Sequence, residues 1–419
     1  MQLSHDTKGY PGHWPSLPLS EVGRQGWNLL RGDLPLPLAV LKNSALAHNL
    51  HWMREFCAER GIDIAPHGKT TMSPELYARQ LAAGAWGISF ATVFQAGVGA
   101  RHGVERILIA NQVMQASDLD TLAAMLAQQP RLRVYFLVDS LQQLSLIEQW
   151  RRHRGSGTLF DVLLELGIEG KRTGCRDQAQ ALTLARAVRA SDAVRLAGVE
   201  CYEGALATCQ HEVDRASVDA LMDRLAQLAL ACEAEDLFET DEVLITAGGS
   251  AIFDLVAQHL KSQLKRPSRG ILRSGCYLTH DHLHYRQLLR CVGERLRLRE
   301  TLRPALEVLS CVQSCPEPGL ALLTMGKRDV SYDLDLPVPL WRCEGAATAA
   351  TVPVPTDWTI SALNDQHAYL RYTDPAHTPR VGEVVGCGIS HPCTTFDKWR
   401  WMPVVDDDYG VIDAVSLHF

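Results

Sequence analysis

The chain reads as an α/β protein, a (β/α)8 TIM-like barrel followed by a C-terminal, mostly β domain. Two observations predict this. Between residues 62 and 275 eight short apolar runs alternate with seven helical patterns, and after about His284 the pattern turns to short strand-like runs separated by Pro, Gly and Asp. Continuous apolar strands spaced by helices indicate parallel strands covered on both faces, and eight of them close into a barrel. A doubly wound open sheet would carry a Gly-rich phosphate loop after its first strand. Here the first run leads instead to Lys69.

Taken in order, the barrel strands are Ile62–Ala65, Trp86–Ala91, Arg106–Ala110, Arg133–Val138, Phe160–Leu166, Arg195–Cys201, Glu242–Thr246 and Gly270–Arg273. The helices between them are Pro74–Ala83, Phe94–His102, Ser117–Ala127, Leu141–His153, Asp177–Arg189, Val213–Glu233 and Ala251–Leu264. Beyond the barrel, Leu306–Val312, Leu320–Thr324, Trp358–Ala362, Ala368–Tyr372 and Val384–Gly388 read as strands. The chain thus divides into a barrel over 36–285 and a β domain over 286–419 with part of 1–35. The strand-like Leu36–Leu41 is a candidate for the β domain as well.

Composition excludes several classes of function. With 41 Lys and Arg against 48 Asp and Glu, the net charge is -7, leaving no basic surplus to neutralise nucleic-acid phosphates. No apolar run approaches the ~20 residues that span a bilayer, and the N-terminus has no basic segment followed by an apolar one, as a secretory signal would. Twelve scattered cysteines without a C-x-x-C pair fit reduced thiols in a cytoplasm.

In a βα barrel the loops after the strands form one mouth, where reactive groups gather. The strand-end candidates are Lys69, Thr92, Asn111, Arg172, Tyr202, Gly248, Gly249, Ser250, Gly275 and Tyr277. Lys69 lies in Pro66-His67-Gly68-Lys69-Thr70-Thr71, and a lysine held in a pocket can attack a carbonyl as the neutral amine and form a Schiff base. Gly248-Gly249-Ser250 offers bare amides where barrels seat phosphates, although such a turn serves equally as a helix N-cap. In Ser390-His391-Pro392-Cys393, extended backbone would point His391 and Cys393 to one face, within reach of one metal ion. Thr279-His280-Asp281-His282-Leu283-His284 is richer in histidine, yet at the barrel's end it reads as polar packing, and Asp406-Asp407-Asp408 as a solvated turn.

These pieces together resemble the D-serine dehydratase-like and D-threonine aldolase-like family of fold-type III pyridoxal-phosphate (PLP) enzymes. PHGKTT is similar to the family's PLP-lysine motif and AWGISFATVFQAGVGARHGVERILIANQV to its next two barrel strands. LELGIEGKRTG, VECYEG, ITAGGS, LRSGCY and VGEVVGCGISHPCTTFD follow in family order, so the resemblance spans roughly Leu36 to Asp397. It implies that Lys69 carries PLP, that Arg172 and Tyr202 contact it, and that Gly248, Gly249 and Ser250 hold its phosphate. His67, Gly275 and Tyr277 complete the cofactor set. His391 and Cys393 would bind a divalent metal, Zn²⁺ or another such as Mn²⁺. Cys at the second metal position is similar to the family's dehydratases, whereas its D-threonine aldolases more often use Asp.

The expected activity is a PLP- and metal-dependent lyase removing water and ammonia from a D-3-hydroxyamino acid of the D-serine or D-threonine type. Aldolase-type retro-aldol cleavage is the alternative. A non-catalytic PLP-binding protein would lack the β domain, and racemisation gives a metal no role. The family's relatives suggest a homodimer acting on a small D-amino acid; the cysteines suggest the cytoplasm, and charge and hydropathy suggest neither nucleic acid nor membrane as a partner.

Overall fold

The computed structural model describes residues 1–343 and 350–419. Eight parallel strands form one curled sheet: Asp63–Ile64, Ile88–Phe90, Arg106–Gln112, Arg133–Val138, Phe160–Leu166, Val194–Cys201, Val243–Ala247 and Ser268–Leu272. The eighth pairs with the first through Ile271–Asp63 and Leu272–Ile64. Between the first and second strands, the amides of Trp86 and Ser89 donate to the carbonyls of Ile64 and Pro66, at 2.8 and 2.9 Å, and the ring closes. Its interior is a separate apolar cluster with one side chain from each strand neighbourhood: Ala65, Trp86, Leu108, Leu137, Leu163, Ala197, Leu244 and Ile271. Mixing small and large side chains fills the barrel as a packed core. Each buried leucine there contributes roughly 1.5–3 kcal/mol.

The helices stand where the 3.6-residue periodicity predicts them, with one correction. Of the expected helix Ala251–Leu264 only Phe253–Ala257 is helical. The chain beyond it drops onto the eighth strand, so close that a Cβ on Gly270 would meet the Leu260 carbonyl oxygen at 2.3 Å. A helix cylinder does not fit against backbone at that spacing. The helices Asn43–Arg60 and His284–Leu296 were not anticipated.

The second sheet is antiparallel apart from one pairing. Its order runs Val352–Pro353, Val338–Cys343, Val384–Gly388, Leu306–Glu317, Leu320–Leu323, Ala368–Arg371, Thr359–Leu363. Leu38–Lys42 joins this sheet rather than the barrel, antiparallel to Leu306–Glu317 and parallel to Trp401–Val405. The last strand, Val411–Ser416, returns beside Trp401–Val405 through the acidic turn, where the Asp406 carboxylate accepts from the amides of Asp408 and Gly410. Ser416 then bonds Glu75 and the His418 amide donates to the Met72 carbonyl, so the C-terminal strand braces the segment that carries Lys69.

Candidate active site

The barrel mouth and the β sheet border a cavity of about 430 Å³. From the barrel come His67, Lys69, Asn111, Arg172, Tyr202, Gly248, Gly249, Ser250 and Gly275; from the other sheet come His391 and Cys393. Of the eleven candidate cofactor and metal residues the structure brings ten together. Tyr277 is the exception, because its side chain turns away and its hydroxyl accepts from Gln80 at 3.3 Å beside a different cleft. Its neighbour Cys276 faces the cavity instead. Thr92 is the N-cap of the helix Val93–Arg101, accepting from the Gln95 amide.

Lys69 lies on a single 3₁₀ turn, Gly68–Thr70, held by the Tyr77 hydroxyl donating to the Gly68 carbonyl at 2.9 Å. Its amine has no hydrogen-bond or ion-pair partner among the described residues. Beside it, burial and then the Lys69 and Arg273 charges push the His67 imidazole well below its usual range, leaving a neutral ring. The Arg172 guanidinium stacks 4.9 Å from the Tyr202 ring centroid. At the cavity floor a buried pair, Arg273 and Glu200, is tied further by Arg273 to Thr246 Oγ1 and the Cys201 carbonyl. Burial outweighs the pull of Arg273 and pushes the Glu200 carboxyl up to about 8. Burial also raises Glu165, which accepts from Thr173 and Gln112.

Two buried polar atoms on residues lining the cavity have no partner: His67 Nδ1 and Glu200 Oε2. Together with the unpartnered Lys69 amine they fit a polar, carbonyl-bearing cofactor such as PLP. The fit differs in one respect from expectation. The amides of Gly248 and Gly249 already donate to the Glu203 carboxylate, at 2.9 and 2.7 Å. Left for a phosphate are the Ser250 hydroxyl and the Gly275 backbone, while the Cys276 amide donates to Ser250 Oγ at 3.2 Å and orients that hydroxyl.

His391 and Cys393 converge by a different route from the expected extended backbone. His391 is extended at φ -144°, but Pro392–Phe396 is a short helix with proline in its first turn, which swings Cys393 back under the imidazole. His391 Nδ1 lies 2.6 Å from Asp333 Oδ2. Cys393 Sγ lies 3.4 Å from Thr70 Oγ1 and 3.9 Å from Cys276 Sγ. Hydrogen bonding from Cys276, and then from His391, holds the Cys393 thiol well below its usual range, while the contact with Cys393 raises His391 to about 9. A thiolate beside an imidazole that gives up its second proton on binding suits a divalent ion such as zinc in donor chemistry. Only these two converge: among the described residues no group of three His, Cys, Asp or Glu is arranged to hold a metal.

The histidine-rich segment is mostly the joint it was expected to be. His280 is buried and bonds the Asp281 carbonyl, while Asp281 caps the helix His284–Leu296 by accepting from the amides of Leu283, Tyr285 and Arg286. Its last member departs from that reading, since His284 lines the cavity with Tyr285. Glu165, Glu200, Arg273, Cys276, His284 and Asp333 were missed from sequence. Arg273 and Cys276 carried a signal, lying close to Gly275 at the end of the eighth strand, and His284 belonged to the histidine-rich segment read as packing.

Known proteins agree with this architecture. Residues 305–405 match the family model described as a serine dehydratase domain. The chain is 27% identical to a D-threonine aldolase of Arthrobacter sp. over 90% of both chains. It is also 27% identical, over 54% of its length and 63% of the relative's, to a D-threo-3-hydroxyaspartate dehydratase of Delftia sp.. Among solved structures, the D-threonine aldolase of Filomicrobium marinum superposes with a TM-score of 0.77 at 22% identity, covering 94% of this chain and 96% of that one. Solved forms of the Delftia dehydratase include two variants in which a His and a Cys two positions apart are each replaced by Ala, the Cys variant being metal-free. An alanine racemase of Bacillus anthracis shares the fold at a TM-score of 0.59. The chain therefore has the fold of the alanine racemase-like barrels with an appended β sheet, and it is similar in sequence to D-threonine aldolase and D-threo-3-hydroxyaspartate dehydratase.

Proposed function

We propose that this chain is a PLP- and metal-dependent lyase for D-3-hydroxyamino acids, and that its reaction is β-elimination to a 2-oxo acid and ammonia. The observation that carries the reading is that Lys69 and the His391/Cys393 pair line one cavity, with Cys393 Sγ 3.4 Å from the hydroxyl of Thr70 beside Lys69. The spacing of that pair equals the spacing of the His and Cys replaced in the dehydratase variants.

Bound PLP supplies an electron sink for negative charge at the substrate Cα, and a divalent ion supplies Lewis acidity toward a β-hydroxyl. The residues divide this work. Lys69 Nζ would hold the cofactor and would be the amine that takes the proton from the substrate Cα. Ser250 and the Gly275 backbone would seat the phosphate, with Glu203 keeping the Gly248–Gly249 turn in shape beside it. His391 and Cys393 would hold the ion, whose Lewis acidity would help a hydroxyl that otherwise leaves poorly. Glu200, buried against Arg273, closes the floor. A cytoplasmic homodimer belongs to the same proposal.

Retro-aldol cleavage is the second reading, favoured by the match to a D-threonine aldolase across 90% of both chains. Products from D-threonine decide between them. Elimination gives 2-oxobutanoate and ammonia, and cleavage gives glycine and acetaldehyde; finding only the latter pair overturns elimination. In the same assay Lys69→Ala abolishes both turnover and the visible absorbance of bound cofactor. An unchanged absorbance in that variant would mean that another lysine is the anchor.

A further inference from the structure

We infer that Asp333 is a positioning residue for the metal: it fixes the His391 ring so that Nε2 is the nitrogen offered to the ion. The inference rests on the metal reading above. A carboxylate only accepts, so at 2.6 Å Asp333 Oδ2 requires a proton on His391 Nδ1, and Nε2 is the nitrogen that can give up its proton to a metal ion. The carboxylate cannot swing away, because the Thr394 hydroxyl donates to its other oxygen at 2.7 Å. An imidazole lacking such a partner is free to turn about χ2, a broad torsion, and to divide between two tautomers.

A second observation is independent of that contact. The whole segment Ser331–Asp335 is laced to Ser390–Thr395 as a splint. The His391 amide donates to Ser331 Oγ at 3.3 Å, and the Ser331 amide donates to Thr395 Oγ1 at 3.1 Å. Ser390 Oγ donates to the Asp335 carbonyl at 2.9 Å. These bonds set the backbone of the donor turn, and Asp333 is the member that reaches the donor side chain itself. Partners of this kind change metal affinity by about 10–100-fold.

The test is calorimetric titration of the full-length, PLP-loaded, chelator-stripped protein with zinc chloride and with manganese chloride. Asp333→Asn keeps size and an acceptor but removes the charge. It is expected to weaken uptake of either ion about 10–100-fold, with PLP affinity and melting temperature unchanged. Asp333→Glu should recover part of the loss. Wild-type metal affinity in Asp333→Asn overturns the inference alone. Should that variant not fold, Thr394→Val, which frees one carboxylate oxygen, is expected to lose affinity several-fold, and no loss there overturns the inference equally. A wild-type protein that takes up neither ion overturns the metal reading, and this inference with it.

Discussion

Two histidine-bearing segments lie on either side of one seam and have opposite fates. His280–His284 carries three histidines in five residues, yet His280 is sealed among packed atoms and His282 lies against Gly388, where an added Cβ would approach its ring to 2.4 Å. Burial, with Arg286 adding to it, pushes His280 down to about 4 and His282 to about 3, so both are neutral spacers in a joint. Ser390–Thr395 has a single histidine, but it opens on the cavity, has a carboxylate behind it and a thiolate beside it. Histidine density is therefore a poor guide to ligation. What distinguishes the donor is access on one ring nitrogen and a fixed partner on the other.

The comparison breaks most visibly by exchange of losses. His391→Ala should lower metal affinity at least about 100-fold, since one of only two donors goes, with little effect on the melting temperature. His282→Ala should do the reverse. It keeps the metal and loses about 2–4 kcal/mol of stability through the hole left against Gly388. Metal analysis and urea titration of both variants settle the matter, and metal loss in His282→Ala would erase the distinction.

Acid sharpens it further. Unfolded histidines protonate below about pH 6.5, whereas folded His280 and His282 resist until about 4 and 3. The unfolded chain then binds more protons, so their contribution is complete above pH 6.5 and is lost as pH falls toward 3. Each histidine adds about 1.4 kcal/mol per pH unit to the slope within its window. Facing charges are Arg286, which opposes protonation, and the carboxyl of Asp281, itself pushed up to about 6 by burial. In the protein stripped of cofactor and metal, His282→Gln should flatten the stability profile between pH 6 and 4; an unchanged slope would show that the ring is not sealed.

The smallest expected effect lies in the phosphate turn. Glu203→Gln can serve only one of the two glycine amides with its carbonyl and should weaken PLP binding several-fold, read by fluorescence titration. Pyridoxal without phosphate should bind as before. Tighter PLP binding would mean that Glu203 competes for the seat and does not shape it.

Much of this was legible in the chain. Strand periodicity placed all eight barrel strands, because parallel strands covered on both faces must be apolar throughout. Motifs at strand ends led to the cavity because the fold delivers every such loop to one mouth. The rest was hidden for physical reasons. Tyr277 and Cys276 are adjacent, and which of the two faces the cavity depends on a rotation that no spacing encodes. Asp333 lies 58 positions from His391, in a segment with no pattern of its own. Gly248 and Gly249 were legible as an anion nest, but not that the anion is this protein's own Glu203.

Leu38–Lys42 lies between Leu306–Glu317 and Trp401–Val405, so the sheet carrying His391 and Cys393 is threaded by a strand from the opposite end of the chain. During synthesis the barrel's last strand, ending at Leu272, emerges well before Trp401 does. The lysine half of the cavity is therefore synthesised first, and both its brace at Ser416 and His418 and the metal half arrive only with the end of the chain. A fragment starting at residue 286 would lack its threading strand and leave two unpaired edges open to aggregation.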